Sequence, residues 1–323
     1  MLSNIDEESA DDARRILTLL CYARRPLTVL ELIDAVAVEL GDHPRLNPDG
    51  RLLNEDEIRR TCPGLIEVDV DRRGDGPTVR IAHFSVQEYL ESERIRQHTA
   101  ATFSVGKAEA HAEIACICLT YLLEPALSPD SPQEYPLALY AAQNWHEHYR
   151  GGGRAKYDIE NQAIQLFQCN SDRFENWVST WNVDHYKGER PYGTVPLPIY
   201  YASLLGLEEI VRLLLDKGAD VNAQGGEYGN ALQAAASNGH EGIVRLLLDE
   251  GADVNAQGGF YGNALQVAAY EGHEGIVRLL LNEGADVNAQ GGVYGNALQA
   301  AASRGHEGIV RLLLDKGAVK AES

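Results

Sequence analysis

Between residue 193 and the C-terminus a unit of 33 residues recurs four times, and three of the copies are nearly identical. Residues 226–258, GEYGNALQAAASNGHEGIVRLLLDEGADVNAQG, differ from 259–291 at five positions only: 227, 234, 237, 238 and 249 in the numbering of the first copy. Another copy begins at Gly292 and stops within its last turn at Gly317, Ala318 and Val319, and a more divergent one spans 193–225. A fixed period of this length means one supersecondary unit stacked on itself, because a single copy cannot bury its own apolar face. Stacks of this kind expose long surfaces, which turns the functional reading from chemistry towards partner binding.

Each unit reads as two short helices joined by a tight turn. Asn230 is a good N-cap, and Gln233 three residues later completes a capping-box pattern. The alanine-rich run 231–236 lets helices approach closely, and Gly239 closes the first helix. Ile243, Val244, Leu246 and Leu247 give an apolar stripe on a second helix, which Gly251 ends. The following GADVNAQGGxYG is too glycine-rich for helix and is expected to form a hairpin-like finger between units. The run G-H-x-x-I-V-x-L-L-L-x-x-G-A-D-V-N-A resembles the ankyrin signature, with Asn230-Ala231-Leu232-Gln233 standing where that family usually carries Thr-Pro-Leu-His. The resemblance covers the four repeats and implies an α-solenoid that binds protein partners.

The net charge of -20 arises from 48 acids against 28 bases, and the excess is spread along the chain. Acids outnumber bases by 20 to 13 in residues 1–100, by 12 to 7 in 101–192 and by 16 to 8 in 193–323. No segment offers the basic footprint that phosphate binding demands. The five cysteines (Cys21, Cys62, Cys116, Cys118, Cys169) are odd in number and sit in apolar surroundings, which points to a reducing compartment. The acidic N-terminus and the lack of an apolar run near ~20 residues predict a cytoplasmic or nuclear protein with no membrane partner.

Residues 1–100 read as a compact winged-helix-like domain. Ile16, Leu17, Leu19 and Leu20 mark a first helix that ends before Pro26. Thr28 with Glu31 opens a second helix expected to run through Leu40, and Asn54 with Glu57 opens a short third one, stopped before Pro63. Ile66, Val68 and Val70 then alternate with acids, a strand with one buried face. A charged turn, 71–77, leads to a second strand with Val79 and Ile81 inward and Arg80 facing the acids of the first. Ser85 and Glu88 are expected to cap a final helix. The recognition helix of such a domain would begin Asn54-Glu55-Asp56-Glu57, and phosphate repels three carboxylates at that end. Arg59, Arg60, Arg72 and Arg73 are the only candidate phosphate contacts, so no nucleic-acid partner is expected.

The phrase Ala82-His83-Phe84-Ser85-Val86-Gln87-Glu88-Tyr89-Leu90 resembles the end of the winged helix that follows the NACHT ATPase module in fungal signalling proteins with ankyrin tails. The stretch 111–119, the residues Tyr135, Pro136, Leu137, Tyr140, Ala141 and Ala142, and Trp145 are similar to the helical connector of those proteins, assigned here to 101–192. The expected fold class is therefore mainly α: an ankyrin α-solenoid (193–323) preceded by a helical connector and a small α+β winged-helix domain. The P-loop pattern G-x-x-x-x-G-K followed by Ser or Thr is absent. Its nearest fragment, Val105-Gly106-Lys107-Ala108, lacks the first glycine and the magnesium-holding hydroxyl, so no cofactor and no ATP binding are expected.

Other chemistry finds little support. There is no G-x-S-x-G elbow for a serine nucleophile. Cys116, Cys118, His146 and His148 suggest zinc, but i, i+2 spacing on a helix sends each pair to opposite faces, whereas a metal needs convergent ligands. The repeated Gly-His (His240, His273, His306) is periodic and so structural, tying each turn to its neighbour. Trp145, Trp177 and Trp181 are expected to fill the connector's core.

The first repeat has Tyr200, Tyr201, Leu204, Leu205 and Leu207 where the next has Gln233, Ala234, Ser237, Asn238 and His240. Five changes towards apolar residues imply that this end docks onto the connector. Among the near-identical copies, the differences fall at Glu227, Phe260 and Val293 on the finger, and at Ser237, Tyr270 and Ser303 with Asn238, Glu271 and Arg304 at the end of the first helix. In ankyrin proteins these places line the concave face. The nine residues are the candidate partner-binding site, with Phe260 and Tyr270 as anchors. The expected function is a non-enzymatic scaffold or regulator. The alternatives are a truncated or split NACHT-type receptor part that works with a separate ATPase chain and, more distantly, a winged-helix DNA-binding protein.

Overall fold

The computed structural model describes residues 2, 5–52, 54–69, 76–97, 100–128, 133–153, 159–168, 171–184 and 195–319. Val70 of the first strand, Asp71, Arg72, Arg73 and Asp75 of the charged turn, Cys169 and Gly193 lie outside the described residues. The chain divides into two compact units, 1–166 and 167–323.

In the first unit, the stripe Ile16, Leu17 and Leu19 buries one face of α1 (Ala10–Tyr22). Thr28 and Glu31 form a reciprocal capping box, in which the Glu31 amide donates to Thr28 Oγ1 at 3.2 Å and the Thr28 amide to the Glu31 carboxylate at 2.8 Å. The helix they open, α2 (Val29–Val36), stops short of the expected Leu40. Val38 and Glu39 leave it as strand β2 (Val38–Glu39), which pairs with β3 (Arg45–Leu46). Val38 faces Leu46 there, and Glu39 takes an ion pair of 2.7 Å from Arg45. Asn54 caps α3 (Glu55–Thr61) by accepting from the Glu57 amide.

Strands β4 (Ile66–Asp69) and β5 (Thr78–Ile81) pair antiparallel, and Arg80 reaches both Glu67 and Asp69 at 2.7 Å. The sheet has a third member that the sequence did not suggest, β1 (Leu27–Thr28) on the other edge of β5, giving the order β1-β5-β4. Two residues are too short to show alternation, so only the pairing reveals them. The cap of α4 (Phe84–Glu91) is His83 rather than Ser85, since His83 Nδ1 accepts from the Ser85 amide at 3.2 Å.

Helix α5 (Lys107–Leu122) is buried on every side from Ala110 onward, with α6 (Ala138–Gly151), α7 (Ile159–Leu166) and α1 around it. Arg14 holds it with two bonds to the Glu113 carboxylate, 2.8 and 2.9 Å. The cysteine and histidine pairs are parts of this packing. Cys116 Sγ donates to Gln162 Oε1 at 3.1 Å, and His148 lies between His111 at 2.9 Å and the Tyr140 hydroxyl at 3.0 Å. Among the described residues no group of three or more His, Cys, Asp and Glu is placed to hold a metal ion, and no helix is long and apolar enough to cross a membrane.

The second unit begins with α8 (Asp172–Thr180), capped by Ser171. Phe167, Phe174 and Trp177 form one aromatic cluster, and Tyr201 of the first repeat stands edge-on to Phe174 and Trp177 at 5.8 and 5.7 Å. Tyr200, Tyr201, Leu204, Leu205 and Leu207 are all buried. The tryptophans do not share one core. Trp145 is buried in the first unit and Trp177 in the second, while Trp181, just past the end of α8, is only half-buried.

The repeats supply the helix pairs α9 (Pro198–Leu204) and α10 (Glu208–Asp216), α11 (Ala231–Ser237) and α12 (Glu241–Asp249), α13 (Ala264–Glu271) and α14 (Glu274–Asn282), and α15 (Ala297–Ser303) and α16 (Glu307–Asp315). In each of the later three, Asn230, Asn263 or Asn296 caps the first helix through an amide three residues on, at 2.9 Å. Ile243, Val244 and Leu247 are buried, each contributing roughly 1.5–3 kcal/mol on full burial.

Gln233 does not close a capping box. Its side-chain amide leaves its own helix and donates to the carbonyls of Gly258 and Gly262 in the next finger, at 3.1 and 3.0 Å. In the first repeat the Tyr200 hydroxyl takes this place, accepting from the Tyr228 amide at 3.3 Å and donating to Asp184. The histidines tie repeats together as expected: His240, His273 and His306 reach the carbonyls of Leu204, Ser237 and Tyr270 one repeat earlier.

Candidate protein-interaction surface

The fingers meet one another through their backbones. The Phe260 amide donates to the Glu227 carbonyl at 2.9 Å, and the Val293 amide to the Phe260 carbonyl at 3.2 Å. The first rung is closed by Asp184, which accepts from the Glu227 amide at 2.8 Å. The contact is so close that a Cβ on Gly259 would stand 2.2 Å from the backbone of Tyr228, and the glycine's φ of +63° also disfavours any side chain. This ladder lines up the three variable finger residues, with Phe260 50% and Val293 55% exposed and Glu227 exposed beside them.

Behind the tips runs a row of tyrosines. Tyr228 stacks on Tyr261 with centroids 5.8 Å apart and planes 6° from parallel, and Tyr261 on Tyr294 at 6.2 Å and 20°. Tyr270, at the end of α13, joins the row from the side, 5.1 Å from Tyr261 and 4.6 Å from Tyr294. Phe260 stands edge-on to Tyr261 at 5.1 Å. The Arg304 guanidinium lies over the Tyr270 ring, 4.8 Å from its centroid. Desolvation and then the Glu271 carboxylate push the Tyr261 hydroxyl well above its ordinary range. Desolvation likewise raises Tyr228, with Glu227 and Glu271 adding to it.

Phe260, Val293, Tyr270, Glu271, Glu227 and Arg304 thus share one face with the tyrosine row. Ser303 is exposed at the end of α15. Ser237 is not available to a partner: it is 4% exposed, and its hydroxyl donates to the Ala234 carbonyl at 2.8 Å. Asn238 is exposed, but its side-chain amide donates to the Leu204 carbonyl at 2.8 Å and so serves the stack. Variation between copies does not mark Tyr228, Tyr261 and Tyr294, which are the same in every near-identical copy. A recurring aromatic inside a glycine-rich finger is the sequence feature that distinguishes them.

Residues 199–291 and 232–322 match the family model described as ankyrin repeats (3 copies). Residues 3–105 match that of the GPI inositol-deacylase, winged helix domain. A relative from Monascus ruber, named azaphilone pigments biosynthesis cluster protein L, is 45% identical over 261 residues, which are 74% of this chain and 55% of that protein. The chain thus spans about half the length of the curated relative it matches. It is a mainly helical protein in which ankyrin repeats follow a winged helix of the GPI inositol-deacylase type.

Proposed function

We propose that this chain is a non-enzymatic protein-protein interaction scaffold or regulator, and that its partner binds the concave face of the repeats. The observation that carries this reading is the continuous strip of fingertip and aromatic side chains from Glu227 to Arg304, where Phe260 keeps half of its surface exposed. Large aromatics at the centre of a contact surface are enriched among residues that dominate binding energy. The likeness to a pigment biosynthesis cluster protein suggests such a cluster as the setting of this scaffold or regulator. The acidic first turn of α3 weighs against a nucleic-acid role.

A second reading rests on the winged helix. Its match, together with the phrase 82–90, supports a part of a NACHT-type receptor that works with a separate ATPase chain in the cytoplasm. Affinity capture with the purified full chain separates the two, since a NACHT-type ATPase among the bound proteins favours the second. The concave-face assignment is tested with Phe260→Ala and with the double variant that adds Tyr270→Ala. The double change is expected to weaken the captured partner by ~2 kcal/mol or more. Phe260→Ala alone should leave the melting temperature unchanged. Full affinity in the double variant would show that the partner binds elsewhere.

A further inference from the structure

We infer that the face of the fourth repeat turned away from α13 is a second interaction surface, built to receive an ankyrin-type repeat of another chain. The incoming unit would dock by its leading face, as each repeat of this chain docks on the one before it.

What covers such a face is visible on the repeats before it. Gln233 and Gln266, Ala236 and Ala269, and Val244 and Val277 are all buried, each with a further unit stacked beyond it. Their equivalents Gln299 and Ala302 are exposed and Val310 is half-buried. Leu314 is 37% exposed, where Leu248 and Leu281 are half-buried. Glu241 and Glu274 lie against Gly275 and Gly308 of the following unit and keep 52% and 46% of their side-chain surface, whereas Glu307 keeps 82%.

Groups that fasten one repeat to the next are present on this face too. The side-chain amides of Gln233 and Gln266 hold carbonyls of the following finger, and Gln299 is the next member of that series. The Glu227 and Phe260 carbonyls accept the amide of the following fingertip, and the Val293 carbonyl stands next in line. The carbonyls of Leu204, Ser237 and Tyr270 each meet the histidine of the following repeat, whose ring lies against Gly206, Gly239 or Gly272. At the equivalent Gly305 that space is open among the described residues.

A repeat whose outer face meets water carries polar residues there. Here Gln299, Ala302, Ser303, Val310 and Leu314 repeat the residues of the second unit at every one of these positions, so the face keeps the chemistry of an interior contact. The other end of the stack is covered: Tyr201 packs on Phe174 and Trp177, and Asp184 closes the first rung. A second copy of this chain therefore cannot continue the stack head to tail. The occupant that fits is a repeat with an open leading face. It would offer a glycine-rich finger with a tip amide and flanking carbonyls, and a Gly-His turn into its second helix.

The test uses the full chain and a fluorescein-labelled probe of three tandem copies of 226–258, about the smallest stack that holds together. The probe's third copy bears the equivalents of Ala302→Glu and Leu314→Glu, so that only its leading face is open. Fluorescence anisotropy at ~0.15 M salt is expected to show saturable binding. Leu314→Glu in the full chain puts a charge into the apolar contact and should weaken binding about tenfold or more. Gln299→Leu removes the donor to the incoming finger and should weaken it about fivefold. Both side chains are exposed, so the urea midpoint of the chain should stay near that of wild type. Phe260→Ala should leave probe binding unchanged. A probe that does not bind, or binds wild type and both variants equally, would overturn the inference. So would a dimer of the full chain in sedimentation velocity that Leu314→Glu abolishes, because the face would then belong to a second copy. Binding lost on Phe260→Ala alone would put the probe on the concave face, leaving the scaffold reading in place and removing this surface.

Discussion

The side-chain amide of Gln266 donates to the carbonyl of Gly295, 29 residues later, at 3.0 Å, and also to Gly291 at 3.0 Å. One side chain on α13 thereby fastens both strands of the following finger, whose bridge is Gly291 to Gly295. The bond is buried, with Gln266 1% exposed. Among the described residues its Oε1 has no hydrogen-bond partner, which offsets part of what the amide gains.

Gln266→Leu leaves two finger carbonyls short of a donor and is expected to destabilise the chain by about 1–3 kcal/mol. The same change at Gln299, whose side chain is exposed at the start of α15, should cost less than about 0.5 kcal/mol. Urea denaturation of the two variants checks the difference, and equal losses would show that the staple contributes nothing.

Gly272 and Gly305 occupy the same place in successive repeats, with φ of +86° and +74°. A Cβ at Gly272 would lie 2.6 Å from His306 Cε1, while one at Gly305 meets nothing within 4 Å among the described residues. Alanine at either position pays the left-handed backbone cost of about 1 kcal/mol. Only Gly272→Ala also displaces the histidine that bonds to the Tyr270 carbonyl at 2.9 Å. Gly272→Ala should therefore melt clearly below Gly305→Ala, and coincident melting temperatures would remove the histidine clamp from the account.

The buried histidines of the first unit set a pH dependence. Desolvation lowers His148 from 6.5 to about 3, aided by His111, and lowers His146 to about 4. Both are neutral in the folded chain, whereas the unfolded chain protonates them near 6.5, so between these values the unfolded state binds more protons. Their contribution to stability is fully present above pH 6.5 and is lost as pH falls towards 4 and 3. Denaturation midpoints should drop between pH 7 and pH 5, and His148→Gln should flatten that slope. A midpoint that is level across this range would contradict the buried neutral assignment.

How much of this was legible beforehand follows from the range of each signal. The repeat, its helix pairs and its asparagine caps were readable because period, apolar stripe and cap all lie within a few residues of one another. So were the Thr28 and Glu31 box and the reach of Arg80 to the acids of the neighbouring strand. The two-residue strand β1, the early end of α2 and the His83 cap were not, since each is decided by a partner or by a competition among adjacent polar side chains.

The candidate surface divides in the same way. Sequence variation alone marked Phe260, Tyr270, Glu271 and Arg304, and tertiary structure brought them onto one face. The structure withdrew Ser237, which is covered within the stack, and it added Tyr228, Tyr261 and Tyr294. An unvarying residue looks structural when only its own repeat is considered. Its ring becomes part of a surface when copies 33 residues apart align it with its neighbours, and that alignment is a property of the stack. The glutamine makes the same point. Local spacing wrote a capping box, but the side-chain amide donates instead to a buried carbonyl pair in the next repeat, and the asparagine alone caps the helix.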